Sequence, residues 1–177
     1  MTKLLLLVSL PLYLLDQITK LYIVAHYELN AEETTVIPGF FWIHHTANTG
    51  VAFGMFNGTA YANYVFAATS LFAALFIGWA LRRNWFPGAV GRFSAALLYS
   101  GIAGNLTDRL WLKLPPEAHA LGFADRFFRG YVVDFLKFDL KVMVWPSFNV
   151  ADSCVVTAAI LLVLASFFDK PAPKPAA

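Results

Sequence analysis

Four long apolar stretches, Leu4–Val24, Tyr61–Leu81, Ala89–Leu106 and Ala151–Phe168, divide the chain into hydrophobic blocks joined by more polar connections. An α-helix rises about 1.5 Å per residue, so roughly 20 apolar residues cross the ~30 Å hydrocarbon core of a bilayer. The pattern therefore predicts four transmembrane helices. The third and fourth stretches are short for a full crossing and carry polar residues at one end, GIAGNLTDRL and FNVADS respectively. Those ends are expected to reach a hydrated or protein-lined site. The opening MTKLLLLVSLPLYLL has the lysine-then-apolar order of a cleavable signal, but the run continues through Asp16 to Val24 without a small-x-small cleavage site. It reads as a retained first span.

The connections have a different period. Residues 25–60 contain TTVIPGFFWIHHTANTGVAFGMF, rich in β-branched and aromatic residues and broken by Gly and Pro, which favours short strands and turns. Lys137 to Val144, KFDLKVMV, alternates charged and apolar positions with the period of two of a strand. Together they predict a small extracytoplasmic β element resting at the membrane surface. His44 and His45, adjacent and without companion ligands at metal spacing, read as strand or interface residues rather than a metal site.

Charge orients the bundle. If the spans alternate, the N-terminus, residues 82–92 and the C-terminal tail share one side, and they hold Lys3, Arg82, Arg83, Arg92, Lys170 and Lys174 against Asp169 alone. The positive-inside rule puts both termini in the cytoplasm. Residues 1–168 then form a single membrane domain, and the Pro/Ala-rich tail at 169–177 is expected to be disordered. A composition of 59% hydrophobic and 14% charged residues agrees with a membrane class. The net charge of +2, with scattered Lys and Arg, argues against nucleic acid as a partner. Cys154 is the only cysteine, which excludes an intrachain disulfide. There is no internal repeat, and nothing in the sequence demands an oligomer.

With this topology Asp16 lies 13 residues beyond Lys3, roughly 20 Å from the cytoplasmic surface, and Lys20 lies one turn further out. Asn105, Asp108 and Arg109 end the third span, and Asn149 and Asp152 begin the fourth at the same level. An unpaired charge facing lipid costs several kcal/mol, so these groups are expected to face one another. For Lys20 the alternative is snorkelling to the headgroups. For Asp108 it is a structural ion pair with the neighbouring Arg109. Gly101 and Gly104 offer a small-residue face for close helix packing that would let Asn105 project into a shared cavity. Intramembrane carboxylates also serve proton relays, so a small transporter is a rival reading, as is a non-catalytic assembly subunit.

The blocks LDQITK at 15–20, NTGVAFGMF at 48–56, GIAGNLTDR at 101–109, GYVVDF at 130–135 and FNVADS at 148–153 resemble the lipoprotein signal peptidases (signal peptidase II), bacterial intramembrane aspartyl proteases. The resemblance implies that Asp134 and Asp152 are the catalytic pair. It further implies that Asp16, Lys20, Asn48, Gly50, Asn105, Arg109 and Asn149 surround the substrate, a prolipoprotein cleaved before its diacylglyceryl-cysteine. No cofactor is implied, and the expected setting is the bacterial inner membrane with the site near its outer face. The sequence departs from the family pattern in one place, the 17-residue insert Leu110–Arg126, which ends by repeating the dipeptide Asp-Arg. Arg109 or Arg126 can fill the family's arginine position. Arg109, four residues after Asn105 and on the same helix face, is the favoured one. The insert is expected to form an external loop or helix, as a lid or a tolerated extension.

Overall fold

The computed structural model describes residues 2–31, 33–49, 62–112, 122 and 130–168. Gly50, Arg126, most of the 110–126 insert and the 169–177 tail lie outside the described residues.

Four long helices form a bundle. Helix α1 is Leu10–His26, entered through a helical turn at Thr2–Leu4 and a π-helical segment at Leu5–Ser9. Pro11, which lacks a backbone N–H, sits at the junction. Helix α2 is Ala62–Arg82, α3 is Gly88–Thr107 continuing through a π turn at Asp108–Leu112, and α4 is Val150–Phe168. The end of α2 is closed by Asn84 at a φ of 57°, with Trp85 N–H donating to Ala80 O and Asn84 N–H to Leu81 O. This is the Schellman pattern, in which Asn tolerates the left-handed position.

Three helical stretches, Leu5–His26, Tyr64–Arg82 and Val150–Phe167, are long and apolar enough to cross a membrane. Helix α3 is not among them, and its packing explains why. It touches α1, α2 and α4, and apart from Leu97 its buried positions are small or weakly polar: Gly91, Ser94, Ala95, Ala96, Ser100, Gly101 and Gly104. A helix enclosed by other helices needs little apolar side-chain surface of its own. A Cβ added at Gly101 would collide with Ala151 O, so α3 and α4 approach closely there.

The bundle's surface is inverted relative to a water-soluble protein. Leu7, Ile18, Phe72, Leu75 and Phe167 are all more than half exposed, whereas Asp16, Lys20 and Asp108 are fully buried. Apolar side chains outside and ions inside are what hydrocarbon solvent selects.

The β element is a four-stranded antiparallel sheet in the order β1 (Thr34–Ile37), β2 (Phe41–Asn48), β3 (Val132–Asp139) and β4 (Val144–Phe148). The alternating stretch Lys137–Val144, expected to be one strand, is instead the end of β3, a turn at 140–143 and the start of β4. Leu140 N–H donates to Met143 O and Lys141 takes a φ of 68°, so the chain reverses in the middle of the alternating pattern. Period two is preserved through a tight turn, and the sequence pattern therefore did not register it.

Three register shifts shape the sheet, one at Val36 on β1 and two bulges on β2 and β4. Between the pairs Ile43↔Leu136 and Thr46↔Asp134, β2 carries one extra residue at His44–His45, and between Leu136↔Phe148 and Phe138↔Trp145, β4 carries one extra at Pro146–Ser147. Pro146 thus sits on an edge strand where no ladder N–H is required. His44 Nε2 and Ser147 Oγ, 2.6 Å apart, join the two bulges. His45 turns inward, its Nδ1 2.9 Å from Tyr27 O. Both histidines are strand residues, as expected. Tyr131, Val133 and Phe135 pack on Ile23 near the end of α1, which ties the sheet to the bundle.

Candidate active site

The site begins where β3, α3 and α4 converge. Val133 and Phe135 face the α1 core, so alternation along β3 turns Asp134 to the other face. There it is 2% exposed. Asn48 Nδ2 donates to its Oδ2 at 2.9 Å and Asn149 Nδ2 to its Oδ1 at 2.7 Å. Burial, followed by the charge of Asp152, pushes the Asp134 carboxyl up to about 7 from the ordinary 3.8.

Asp152 stands in the first turn of α4. Asn149 Oδ1 accepts the Asp152 N–H at 2.9 Å, and Asp152 Oδ2 accepts the Asn149 N–H at 3.2 Å. This reciprocal pair is a capping box, and it locks Asp152 to the start of the helix. Its other oxygen, Oδ1, accepts Asn105 Nδ2 at 2.7 Å. Asn149 therefore bridges both carboxylates, holding Asp134 through its side chain and Asp152 through its backbone.

Beneath this pair lies a second, fully buried ionic cluster. Lys20 Nζ is 2.9 Å from Asp16 Oδ2 and 2.8 Å from Asp108 Oδ2, and it donates to Asn105 Oδ1 at 2.9 Å. The three ammonium hydrogens thus have three acceptors. Lys20 does not snorkel. An ammonium has only donors, so its contact fixes the Asn105 carbonyl towards Lys20 and leaves the NH₂ to face Asp152. Asp16 Oδ1 in turn accepts the Ala151 N–H at 2.9 Å, an anion at the N-terminus of α4. Gly104 is required here, because a Cβ would stand 2.5 Å from Asp16 Oδ2.

Asp108 does not pair with Arg109, contrary to one sequence reading. Its oxygens take Lys20, the Gln17 amide at 3.2 Å and the Val133 N–H at 3.4 Å. Successive residues on a helix point about 100° apart, so Asp108 enters the α1 interface while Arg109 turns towards α2. The Arg109 guanidinium lies 5.5 Å from the centre of the Phe66 ring, and its Nη1 reaches Asn105 O at 3.5 Å. Asp152, Asp134 and Asp108 all act electrostatically on its charge. Its buried Nε has no hydrogen-bond partner among the described residues.

Of the residues singled out from the sequence, Asp16, Lys20, Asn48, Asn105, Arg109, Asp134, Asn149 and Asp152 come together in one connected region. Gly50 and Arg126 lie outside the described residues. Gln17 was missed. Its amide donates to Asp16, Gly104 O and Asp108 at 3.1–3.2 Å, binding α1 to α3. The signal was available: an amide in an apolar run, beside Asp16 and three residues before Lys20, carries the same desolvation argument as the charges. The donor set suits hydrolysis by paired carboxylates, and the described residues contain no group of three or more His, Cys, Asp or Glu able to hold a metal.

Comparison with known proteins identifies the family and the fold. Residues 8–168 match the model of the family described as Signal peptidase (SPase) II. The chain is 36% identical over 166 residues to the lipoprotein signal peptidase of Desulforapulum autotrophicum, covering 93% of this chain and 91% of that one. It is 34% identical over 167 residues to that of Syntrophotalea carbinolica, covering 94% and 92%. A solved bacterial membrane enzyme superposes with a TM-score of 0.74 at 23% identity, over 93% of this chain and 88% of the other, a likeness of fold. The chain belongs to the signal peptidase II family of membrane proteases.

Proposed function

We propose that the protein is an aspartyl endopeptidase that removes the signal peptide from diacylglyceryl-modified prolipoproteins, cutting before the lipidated cysteine. The observation that carries this reading is the bridging of Asp134 and Asp152 by Asn149, in an Asn-lined site at one end of an apolar bundle. The names of the relatives supply the substrate class.

Two nearby carboxylates share a proton, because both cannot ionise together. Asp134 is the proton holder, its carboxyl raised to about 7. Asp152, in the first turn of α4 where the helix dipole favours an anion, is the ionised member. In the proposed reaction Asp152 takes a proton from a water as it attacks the scissile carbonyl carbon, and Asp134 donates its proton to the carbonyl oxygen. Collapse of the tetrahedral intermediate returns a proton to the leaving amine, and the pair titrates as a unit throughout. Asn48, Asn105 and Asn149 hold the two carboxylates in register. Arg109 offers its Nε–H to a substrate carbonyl, and Gly50 lies in the segment proposed to approach the peptide. Asp16 and Lys20 act beneath the pair rather than on the substrate. No cofactor is required.

The exposed apolar faces of the spans would receive the substrate's acyl chains from the membrane, with ~0.8 kcal/mol per buried methylene. The basic residues at the end of α2 and start of α3 support an inner-membrane topology with both termini cytoplasmic, α3 as a fourth crossing, and the site near the outer face. A single chain suffices. The test is cleavage of a lipidated precursor by purified protein: Asp134→Asn and Asp152→Asn should each abolish turnover while inserting normally, and turnover retained by either variant refutes the pair.

A further inference from the structure

At the end of the sheet remote from the bundle the two hairpins lie side by side. Asp139 N–H donates to Phe40 O at 3.0 Å and the Lys141 ammonium to Gly39 O at 2.5 Å, so residues 37–40 and 139–143 form a single tip. That tip is apolar. Val142 is 90% exposed, and Leu140, Met143, Val144, Trp145, Ile37 and Phe40 are each at least 40% exposed. Tight turns facing water use Gly, Asn and Asp, for their conformational freedom and solvation. The 37–40 turn does place Gly39 at its positive-φ position, but in the 139–143 turn that position is Lys141 and the residue after it is Val142. The nearby charges are mutually compensated, Lys137 with Glu33 and Lys141 with Asp139, so the tip presents no net charge to repel or attract a polyion.

The opposite end of the sheet is fixed at the bundle. β4 runs directly into α4 through Asn149, and β3 begins beside the π turn that ends α3. The eight residues of β3 reach roughly 26 Å at about 3.3 Å each. A sheet leaving the bundle at the level of the helix ends either rises into water or runs along the bilayer. A tip of this composition selects the second course, since it is continuous in chemistry with the lipid-facing sides of the helices, and Trp145 beside it suits the headgroup region.

We propose that the paired hairpin tips are seated in the headgroup–acyl boundary of the outer leaflet, with Leu140, Val142 and Met143 immersed and Trp145 at the interface. The sheet is then held at both ends, by the bundle at Asp134 and by lipid at Val142, and it spans a strip of membrane surface over which a lipidated substrate approaches. The leaflet assignment rests on the proposed topology. The immersion itself does not depend on the catalytic role of the aspartates.

The test is site-directed spin labelling in bilayers of phosphatidylethanolamine and phosphatidylglycerol. Val142→Cys and, separately, Met143→Cys are labelled in a Cys154→Ala background, with Ile160→Cys on α4 as the lipid-facing reference. The expected result is collision with oxygen and loss of collision with a water-soluble nickel chelate, as at Ile160. Free access of the nickel chelate overturns the proposal. So does shielding from both reagents, which would mean that protein covers the tip. Precursor cleavage by the labelled variants, measured separately, keeps a failure of the tip distinct from a failure of the proposed peptidase reaction.

Discussion

Replacing Lys20 with Met tests whether the ionic cluster supports the site. Methionine keeps much of the side-chain volume but removes the positive charge that lies within 2.9 Å of both Asp16 and Asp108. Asp16 retains the Ala151 N–H and the Gln17 amide, and Asp108 retains the Gln17 amide and the Val133 N–H. Those neutral donors do not replace an ammonium between two fully buried carboxylates. Breaking a buried pair from one side costs roughly 3–5 kcal/mol. At about 2–4 °C per kcal/mol for a chain of this size, the thermal midpoint should fall by roughly 6–20 °C. Asn105 also loses the contact that orients its amide, so Asp152 loses a fixed donor, and a displacement of about 1 Å there is enough for ~10²-fold in kcat. The assay is tryptophan-monitored thermal unfolding in detergent beside single-turnover cleavage, for Lys20→Met, Asp108→Asn and the double variant. Because the two residues touch, the double variant should recover part of the loss instead of adding to it. A fall under about 1 kcal/mol, as for an exposed pair, or strict additivity, refutes the cluster as described.

Four further outcomes follow from the structure. Asp134 holds its proton up to about 7 and loses it above, so kcat/KM should decline as pH rises through that region. Asn48→Ala removes a hydrogen bond that favours the Asp134 carboxylate and should move the alkaline limb of the pH–rate profile upward; a downward move contradicts the assignment. Gly104→Ala places a methyl 2.5 Å from Asp16 Oδ2 and 3.0 Å from Ala151 Cβ, and should cost about 1–3 kcal/mol of stability, measured by thermal unfolding, whereas no loss would mean that α3 is free to move. Arg109→Ala should raise KM and lower kcat while Arg126→Ala stays close to the parent protein, and the reverse ranking in steady-state cleavage would transfer the role to Arg126.

The helices were legible because hydropathy is a local property. Each apolar run predicted a helix whose observed ends lie within a few residues, and Asp152 could be placed at the start of α4 from the polar FNVADS junction alone. Even the poor hydropathy of α3 was visible as a short span with polar ends, although its cause, enclosure by the other three helices, was not. The five sequence blocks likewise carried the family, since each holds its own residues at fixed spacing.

What the sequence left open depends on contacts between distant residues. Lys20 meets Asn105 across 85 positions, and Asn105 meets Asp152 across 47. No local period encodes such pairings. Sequence proximity suggests Arg109 as one possible partner for Asp108, while rotation along the helix separates them and gives Asp108 to Lys20. The strand predicted across Lys137–Val144 failed for a related reason: a two-residue turn preserves alternation, so only cross-strand pairing reveals it. Asp134 shows the division most clearly. Its residue type and its VVDF block were evident from the sequence, but its burial, its raised pKa and its connection through Asn149 to Asp152 arise only when β3 is laid against the start of α4.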